Sequence, residues 1–316
     1  MLKDSIKSKI LFAGTSDFAI PTFRQLINRA DIEVVAALTQ PDRQAGRGRK
    51  LKLSPIKKVA VNDNIRVLEP TNLSRCGELT KILHEDIDFL IVVSYGLMIP
   101  PSVIDKVHFA INVHASVLPN WRGASPIQHA IMKGDPFAGV SIMKVTEKLD
   151  AGPLFCSDSI RLEENETYGS LSSKLALLGS NKLIETISDI KKGIFKTKPQ
   201  DEDLATYAVK ITKEDREITW NIDALTIERK VRALNPTPSA TTQFNNQRVK
   251  VHEVKIEKHM APLASGYWLI DKNNKRIIVG TATEPLSITK IQRPGGKVMN
   301  VKDFLNGFAN KHDSKK

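Results

Sequence analysis

Short apolar segments with the pattern of buried strands alternate with helical patterns over the first half of this sequence. Such alternation is typical of α/β folds, in which helices cover both faces of a mainly parallel sheet. The predicted strands span residues 9–15, 33–40, 87–94, 109–116 and 139–146. The predicted helices span residues 18–27, after an N-cap at Asp17, and residues 55–61, 74–83 and 127–132. The turn after the first strand lacks Gly-x-Gly-x-x-Gly, which argues against a dinucleotide site.

The pattern changes in the second half of the chain. Apolar residues recur with helical spacing from 167 to 190, which predicts a long amphipathic helix ending near Gly193. Residues 194–207 show little periodicity and are predicted to form an extended linker. Short strands follow, with hairpin turns at Asn245-Asn246 and Asn273-Asn274, so a small second β domain is expected. These strands span residues 242–244, 249–256, 267–270, 277–279 and 286–291.

The composition is that of an ordinary globular protein, with 41% hydrophobic and 26% charged residues among 316. No segment approaches the roughly 18 apolar residues of a membrane span, and the first residues lack the apolar core of a secretory signal. The two cysteines, Cys76 and Cys156, lack metal-ligand spacing. We therefore expect a cytoplasmic protein with reduced thiols, no bound metal and no membrane contact.

The segment Ile-Asn-Val-His-Ala-Ser-Val-Leu-Pro, residues 111–119, begins as a strand and breaks at its Leu-Pro pair. Alternate side chains of a strand share a face, so Asn112, His114 and Ser116 point to one side and the apolar residues to the other. This polar face lies near the carboxyl end of the strand, where open α/β sheets bind ligands. An amide donor beside an imidazole can polarise a carbonyl group and stabilise the oxyanion that forms when it is attacked.

An acidic residue in a second motif extends this hypothesis. A lone histidine is more often structural, but an asparagine two residues before it and a Leu-Pro turn after it favour chemistry. Asp150 lies in the turn Leu149–Pro153, directly after another predicted strand. A carboxylate there could fix the histidine tautomer and raise its basicity. Asn112, His114 and Asp150 are therefore the candidate catalytic residues.

These motifs resemble those of the folate-dependent formyltransferases, which transfer a formyl group from 10-formyltetrahydrofolate to an amine. The matching segments are Asn-x-His-x-Ser-x-Leu-Pro-x-Trp-Arg-Gly, Leu-Asp-x-Gly, Phe12-Ala13-Gly14-Thr15, Thr39-Gln40-Pro41-Asp42-Arg43, Ala45-Gly46-Arg47-Gly48-Arg49-Lys50 and Tyr95-Gly96. The resemblance covers nearly the whole chain and is thinner after Trp220. It implies a Rossmann-like catalytic domain over residues 1–193, holding the folate and the active site. The linker 194–207 would join it to an OB-like β-barrel, the tRNA-binding domain, over residues 208–316.

The resemblance also implies which residues bind the formyl donor. In the family, the loops after the third and fourth strands border the folate pocket. Main-chain groups at such turns can contact the edge of a flat heterocycle, while apolar side chains hold its faces. Val117 replaces a usual leucine, which is a conservative change. The implied folate-binding residues are Tyr95, Gly96, Ser116, Val117, Leu118 and Pro119.

Residues 43–58 contain seven basic residues and no acidic one. Guanidinium groups pair with phosphates and stack on bases, and in the family this insertion contacts the tRNA acceptor arm. The net charge of +12 is concentrated in residues 1–50, with a net of +4, and residues 251–316, with a net of +6. This distribution favours a polyanionic partner that touches both ends of the chain. The implied tRNA-binding residues are Arg43, Arg47, Arg49, Lys50 and Lys52.

The resulting hypothesis is a metal-free, monomeric enzyme that formylates the methionyl α-amine of charged initiator tRNA for translation initiation, with 10-formyltetrahydrofolate as the donor. A formyltransferase for glycinamide ribonucleotide or an amino sugar nucleotide is one alternative, although a small substrate needs neither basic zone. A non-catalytic RNA-binding protein is another, against which the three candidate catalytic residues argue. A hydrolase of formyl-folate, with water as the nucleophile, is a third.

Overall fold

The computed structural model describes residues 7–45, 50–271 and 273–312. The strands are β1 (Ser8–Gly14), β2 (Ile32–Leu38), β3 (Arg43–Ala45), β4 (Lys50–Lys52), β5 (Val67–Leu68), β6 (Ile87–Val93), β7 (Val107–His114), β8 (Arg122–Gly123), β9 (Phe137–Lys144), β10 (Leu154–Arg161), β11 (Tyr207–Ala208), β12 (Ala240–Phe244), β13 (Gln247–Ile256), β14 (Trp268–Asp271), β15 (Arg276–Val279), β16 (Leu286–Gln292) and β17 (Val298–Asn300). The helices are α1 (Ile20–Ile27), α2 (Pro55–Asn62), α3 (Gly77–Ile82), α4 (Pro101–Ile104), α5 (Pro126–Lys133), α6 (Tyr168–Lys191), α7 (Ala224–Ala233) and α8 (Val301–His312).

The chain forms two compact units, the first comprising residues 1–126, 137–160 and 172–209 and the second comprising residues 127–136, 161–171 and 210–316. The first unit is built on a sheet with the strand order β10-β9-β7-β6-β1-β2-β5. Its neighbouring strands from β7 to β5 run parallel, and β9 runs antiparallel to β7. The predicted mainly parallel, Rossmann-like sheet is therefore confirmed. The edge strand β10 was not predicted, because its alternating serines and charged residues give little apolar pattern.

Both faces of this sheet are buried. Ile10 and Phe12 of β1 pack in one apolar cluster, whereas Leu11 and Ala13, which point to the opposite face, pack in another. Helices α1 and α6 contribute to the first cluster, and α3 contributes to the second. The continuous apolar sequence of β1 follows from this burial, since a strand covered on both faces has no solvent side.

The helix α1 begins later than the sequence predicts. Asp17–Ala19 form a 3₁₀ helix and α1 starts at Ile20, so the prediction of Asp17 as an N-cap is wrong. The predicted end of the long helix is confirmed, since Gly193 follows α6 with a φ of +70°. Its amide and that of Ile194 donate to the carbonyls of Ile190 and Asp189, at 3.0 Å each. This is the usual hydrogen bonding of a glycine-terminated helix.

Residues 194–209, the predicted extended linker and the two residues after it, lie within the first unit. Lys198 and Leu154 exchange two backbone hydrogen bonds, at 2.8 and 2.9 Å. Strand β11 pairs in parallel with β8, so that Tyr207 lies opposite Arg122. This segment is therefore held against the residues that follow β7.

The second unit contains the predicted antiparallel β domain, and its OB-like class is confirmed. Its strand order is β12-β13-β16-β15-β14, with β17 beside β16. Asn245 and Asn246 have φ values of 46° and 58° and close the β12–β13 hairpin, as a tight two-residue turn requires. Ile227 and Val231 of α7 pack on this sheet with Val251 and Ile291.

Within the described ranges, no helix is long and apolar enough to cross a membrane.

Two glycines in open surroundings allow a test of the backbone argument. A Cβ added at Gly193 or at Gly77 meets no atom within 4 Å, but only Gly193 has a positive φ. We expect Gly193→Ala to lower the free energy of unfolding by about 1–2 kcal/mol, because L-residues are strained in this region. The matched control is Gly77→Ala. Gly77 is the first residue of α3, and its replacement should raise the free energy of unfolding by about 0.4–1 kcal/mol. Urea titration measures the free energy of unfolding of both variants. Equal effects would contradict the role given to the positive φ of Gly193.

Candidate active site

Asn112, His114 and Asp150 lie together in the first unit. Asn112 and His114 are neighbours on one face of β7, and the turn after β9 brings Asp150 back to that face. The Asn112 Nδ2 atom lies 3.5 Å from Asp150 Oδ1, and His114 Nδ1 lies 3.6 Å from Asp150 Oδ2. The side chains of His114 and Asp150 are only 7% and 12% exposed. An amide, an imidazole and a carboxylate thus face one another in a site largely shielded from water.

The tautomer of His114 is set by the backbone. Its Nε2 atom lies 3.0 Å from the carbonyl oxygen of Trp121, a group that can only accept a hydrogen bond. This nitrogen therefore carries a proton, by inference from the hydrogen-bond partners. The other nitrogen, Nδ1, faces Asp150 at 3.6 Å, which is beyond a direct hydrogen bond. The carboxylate thus acts on the charge of the ring, while the Trp121 carbonyl orients it.

Asp150 has an unusual backbone conformation. Its φ of +50° is left-handed, and its Oδ2 atom accepts a hydrogen bond of 2.9 Å from the amide of Gly123. Two residues later, a Cβ on Gly152 would lie 1.9 Å from the carbonyl oxygen of Lys144. Only glycine permits that approach, which returns the turn towards β9. The Asp-x-Gly motif is therefore a steric requirement of the turn as well as a source of the carboxylate.

A buried arginine connects this turn to the segment 194–209. Arg122 is 2% exposed, and its guanidinium donates two hydrogen bonds to Gln200 Oε1, at 2.8 and 3.0 Å. It donates two more, at 2.9 Å each, to the carboxylate of Glu202. Hydrogen bonding to Glu202 raises the pKa of Arg122, and hydrogen bonding to Arg122 lowers the pKa of the Glu202 carboxyl. Both groups therefore stay charged at neutral pH.

Gln200 completes this network from its other end. Its Nε2 atom donates to the backbone carbonyls of Asp150 and Gly152, at 2.8 Å each. Gln200 and Glu202 were not predicted as site residues. Gln200 lies 50 residues from its partner Asp150, and Glu202 lies 80 residues from its partner Arg122. The segment carries no motif or periodicity that marks them. Only the contacts between residues distant in sequence, which the structure shows, identify them.

The first predicted folate loop follows β6. Tyr95 is 2% exposed, with its ring in the apolar core, where burial raises the pKa of its phenol. Its carbonyl oxygen accepts hydrogen bonds from Thr15 Oγ1, at 2.9 Å, and Gln40 Nε2, at 3.1 Å. Gly96 has a φ of +82°, and a Cβ there would lie 2.4 Å from Gln40 Nε2. Met98, in contrast, is 56% exposed. The loop thus offers backbone and an exposed apolar side chain at this edge of the sheet.

The second predicted folate loop follows β7, the neighbour of β6 in the sheet. Ser116 Oγ donates to the carbonyl of Asn120 at 2.6 Å, and the carbonyl of Pro119 accepts from the amide of Thr206 at 3.2 Å. Leu118 is buried, whereas Val117 is exposed. The ends of adjacent parallel strands meet at one edge, so the two loops are neighbours there.

A buried serine braces the second loop. Ser141 of β9 accepts a hydrogen bond of 3.0 Å from the Leu118 amide and donates one of 2.8 Å to the Ser116 carbonyl. Ser157 Oγ lies 2.8 Å away and acts as the donor in that contact, because the Ser141 proton is already engaged. Ser141 thus satisfies two backbone groups of the loop.

Three of the predicted tRNA-binding residues, Arg43, Lys50 and Lys52, lie in a short antiparallel ribbon of β3 and β4 that follows the carboxyl end of β2. Arg47 and Arg49 lie outside the described residues. Arg43 is the backbone partner of Lys52, Lys50 is that of Ala45, and Lys52 is exposed.

Lys57, a further basic residue of the segment, lies 2.6 Å from Asp42 and 2.7 Å from Glu69, and these hydrogen bonds raise its pKa. Its charge is therefore used locally. Within the part of the chain that the structure describes, no group of three or more His, Cys, Asp or Glu side chains is placed to hold a metal ion.

An amide, an imidazole and a carboxylate grouped at the end of a strand in a mainly parallel sheet are an arrangement that can stabilise the oxygen of a carbonyl group under attack, as in α/β enzymes that act on such groups. Residues 7–187 match the formyl transferase family, and residues 210–309 match the formyl transferase C-terminal domain. The chain belongs to the formyl transferase family.

Close relatives share nearly the full length of the chain. A methionyl-tRNA formyltransferase of Coxiella burnetii is 38% identical over 304 residues, which cover 96% of each chain. A methionyl-tRNA formyltransferase of Legionella pneumophila is 40% identical over 299 residues, which cover 94% of each chain.

Two solved structures share the fold at low identity. The methionyl-tRNA formyltransferase from Clostridium thermocellum has a TM-score of 0.56 at 16% identity, covering 80% of this chain and 95% of its own. A variant of HypX from Aquifex aeolicus has a TM-score of 0.69 at 19% identity, covering 96% of this chain. The present chain spans 49% of the length of HypX.

The bracing of the second folate loop generates a matched pair of variants. Ser141→Ala leaves the Leu118 amide and the Ser116 carbonyl without their buried partner, so we expect it to lower the free energy of unfolding by about 1–3 kcal/mol. Ser157→Ala removes an exposed hydroxyl that water can replace, and its effect should stay within about 0.5 kcal/mol. Urea titration compares the two. A Ser141 variant as stable as the Ser157 variant would show that the loop does not depend on this contact.

Proposed function

We propose that this protein transfers the formyl group of 10-formyltetrahydrofolate to the α-amino group of methionyl-initiator tRNA, for translation initiation. The observation that carries the proposal is the contact of Asp150 with both Asn112 and His114 in a shielded site. The relatives at 38% and 40% identity that bear the name methionyl-tRNA formyltransferase support this choice of substrate. In this proposal, residues 1–193 hold the folate and the active site, 194–207 join the domains, and 208–316 bind tRNA.

The formyl donor fits the loops after β6 and β7. Met98 and Val117, at 56% and 37% exposure, are apolar side chains available to hold the faces of a flat heterocycle. The backbone of Gly96 and the carbonyl of Leu118 lie in these loops as polar groups for its edge. We assign folate binding to Tyr95, Gly96, Ser116, Val117, Leu118 and Pro119. When bound, 10-formyltetrahydrofolate supplies a formyl carbon that an amine can attack.

Asn112 and His114 stabilise the formyl oxygen as it gains charge. Asn112 has two N–H donors, of which one points to Asp150 and the other is available for the oxyanion. A second donor is Nδ1 of His114 when protonated, because Nε2 is engaged by the Trp121 carbonyl. The carboxylate of Asp150 stabilises the resulting positive ring, and the low exposure of the site strengthens these interactions.

Asp150 also receives the proton that the amine must lose. The α-amine, with a reference pKa of about 7.7–8.0, attacks in its neutral form and becomes positively charged on bonding to the formyl carbon. The Gly123 amide uses one position on Oδ2, and a carboxylate has further lone pairs to accept the proton, directly or through water. Atoms and charges balance when the bond between the formyl carbon and the tetrahydrofolate nitrogen breaks and that nitrogen takes up the proton held by Asp150, which restores the carboxylate.

The basic segment 43–58 is proposed to bind the acceptor arm through Arg43, Arg47, Arg49, Lys50 and Lys52. Strands β2, β1, β6 and β7 are successive neighbours, so the end of β2 lies about 15 Å from the end of β7, at roughly 5 Å per strand. A ribbon rooted there contacts the backbone of an RNA whose 3′ end enters the site. We further propose that the protein acts as a monomer in the cytoplasm.

Replacing either oxyanion donor tests the chemistry. We expect Asn112→Ala and His114→Ala each to lower kcat for methionyl-tRNA formylation by about a hundredfold or more, because each removes a donor aimed at developing charge. Circular dichroism and thermal melting control for folding. Near-normal turnover in either variant would overturn the assignment, and release of formate in place of formyl transfer by the wild-type protein would instead indicate a hydrolase.

Replacing Arg47 and Arg49 together by Ala tests the tRNA substrate. Loss of phosphate contacts should weaken tRNA binding strongly and reduce its salt dependence by about one logarithmic unit per lost contact. Folate binding should change by less than about twofold, since that pocket uses other loops. Binding is measured over a salt series.

The matched control is the double variant Lys81→Ala/Lys106→Ala, which removes two exposed cations, one in α3 and one directly before β7. We expect this control to bind tRNA like wild type. Wild-type affinity and salt slope in the Arg47/Arg49 variant would favour a small amine as the acceptor.

A further inference from the structure

We propose that Gln200 is a positioning residue that holds Asp150 in its active conformation; this inference rests on the proposed function. Gln200 lies outside the motifs that mark the site in the sequence, in a segment otherwise rich in charged residues. Its amide nevertheless lies at hydrogen-bond distance from the backbone of the Asp150 turn and from Arg122.

The orientation of the Gln200 amide is determined by its neighbours. Both protons of Nε2 have acceptors, since the carbonyls of Asp150 and Gly152 lie at 2.8 Å each. Oε1 lies 2.8 and 3.0 Å from Nη2 and Nε of Arg122, which can only donate. A flipped amide would place donors against donors and oxygen against carbonyl oxygens. The side chain therefore has one orientation, in which it bridges two carbonyls of the turn.

This bridge acts where the turn needs support. Asp150 has a φ of +50°, a conformation that L-residues seldom adopt without external contacts. Gln200 holds its carbonyl, while the Gly123 amide holds its carboxylate at 2.9 Å. Arg122, the residue before Gly123, holds Gln200 in turn. These contacts form a closed ring. The strand β8 and the segment 194–209 therefore position both the main chain and the side chain of Asp150.

Loss of the Gln200 contacts should affect catalysis more than folding. The carboxylate lies 3.5 and 3.6 Å from Asn112 and His114, and small displacements from such geometry weaken charge stabilisation and proton transfer. Gln200 does not touch these groups. It acts through Asp150, and its loss should lower kcat while leaving substrate binding intact.

Two variants separate this role from a merely structural one. Gln200→Glu keeps the volume and an acceptor for Arg122 but removes both donors to the turn. Gln200→Ala removes everything. We expect each to lower kcat by about tenfold to a hundredfold, with KM for both substrates within about threefold of wild type. A Gln200→Glu enzyme with wild-type kcat would overturn the proposal, because Gln200 would then serve only as a partner of Arg122.

The matched control is Gln25→Glu. Gln25 is another half-buried glutamine whose Nε2 donates to a neighbour, Asn181 Oδ1 at 2.7 Å, away from the site. It should keep wild-type kcat, and a loss equal to that of Gln200→Glu would attribute the effect to charge and overturn the proposal. Gln200→Glu should still fold, since the ion pair of Arg122 with Glu202 persists, but its melting temperature should fall, because an oxygen then faces the two carbonyls of the turn.

A double-mutant cycle tests whether Gln200 acts through Asp150. In an Asp150→Asn background, measured by single turnover, adding Gln200→Ala should cost less than about threefold, because the carboxylate it positions is gone. A second full loss would overturn the proposal.

Amide hydrogen exchange gives a readout independent of activity. Amides of residues 147–152 should exchange at least about tenfold faster in both Gln200 variants, and unchanged exchange would overturn the proposal. Failure of the wild-type protein to formylate methionyl-tRNA would reject the proposed function alone, because the exchange data still decide what Gln200 does.

Discussion

The structure around the site depends on the burial of one guanidinium group. Arg122 is 2% exposed, and such burial is tolerated only when the charge is paired and its N–H donors find acceptors. Glu202 supplies the charge and Gln200 a further acceptor, both from a segment about 80 residues away. The arginine thereby fixes the path of that segment. The same hydrogen bonds hold the backbone of Arg122 in place. Its neighbours in sequence, Trp121 and Gly123, contact His114 and Asp150 respectively.

The geometry of the candidate site depends on main-chain contacts as much as on the three side chains. The Trp121 carbonyl orients the His114 ring at 3.0 Å, and the Gly123 amide orients the Asp150 carboxylate at 2.9 Å. Gly123 has a φ of +118°, and a Cβ there would lie 2.6 Å from the carbonyl of Ala208. The glycine of Trp-Arg-Gly is thus required for β8 to approach β11. In this family motif, the residues between the chemical groups are as constrained as the groups themselves.

The elements that the sequence predicted well are those with a strong apolar pattern. The five central strands and the helix α6 were predicted to within a few residues, because burial on one or two faces imposes a period on the sequence. Strand β10 and helices α7 and α8 were missed. β10 alternates half-buried and exposed residues at a sheet edge, and α7 has four charged residues among its ten, with Ile227 and Val231 as its largest buried side chains. Such elements are stabilised by their neighbours, which a local pattern does not contain.

The sequence by itself determined the α/β class, the polar face of β7 and the acidic turn, because each depends on residues adjacent along the chain. Asn112 and His114 share a face through strand geometry alone, and Gly152 marks a turn through its lack of a Cβ. Only the tertiary structure decided which carbonyl orients His114 and which amide binds the Asp150 carboxylate. It also decided that Gln200 donates to the carbonyls of the Asp150 turn. These contacts join residues separated by as many as 50 positions along the chain, where chain folding and not local conformation sets the distance.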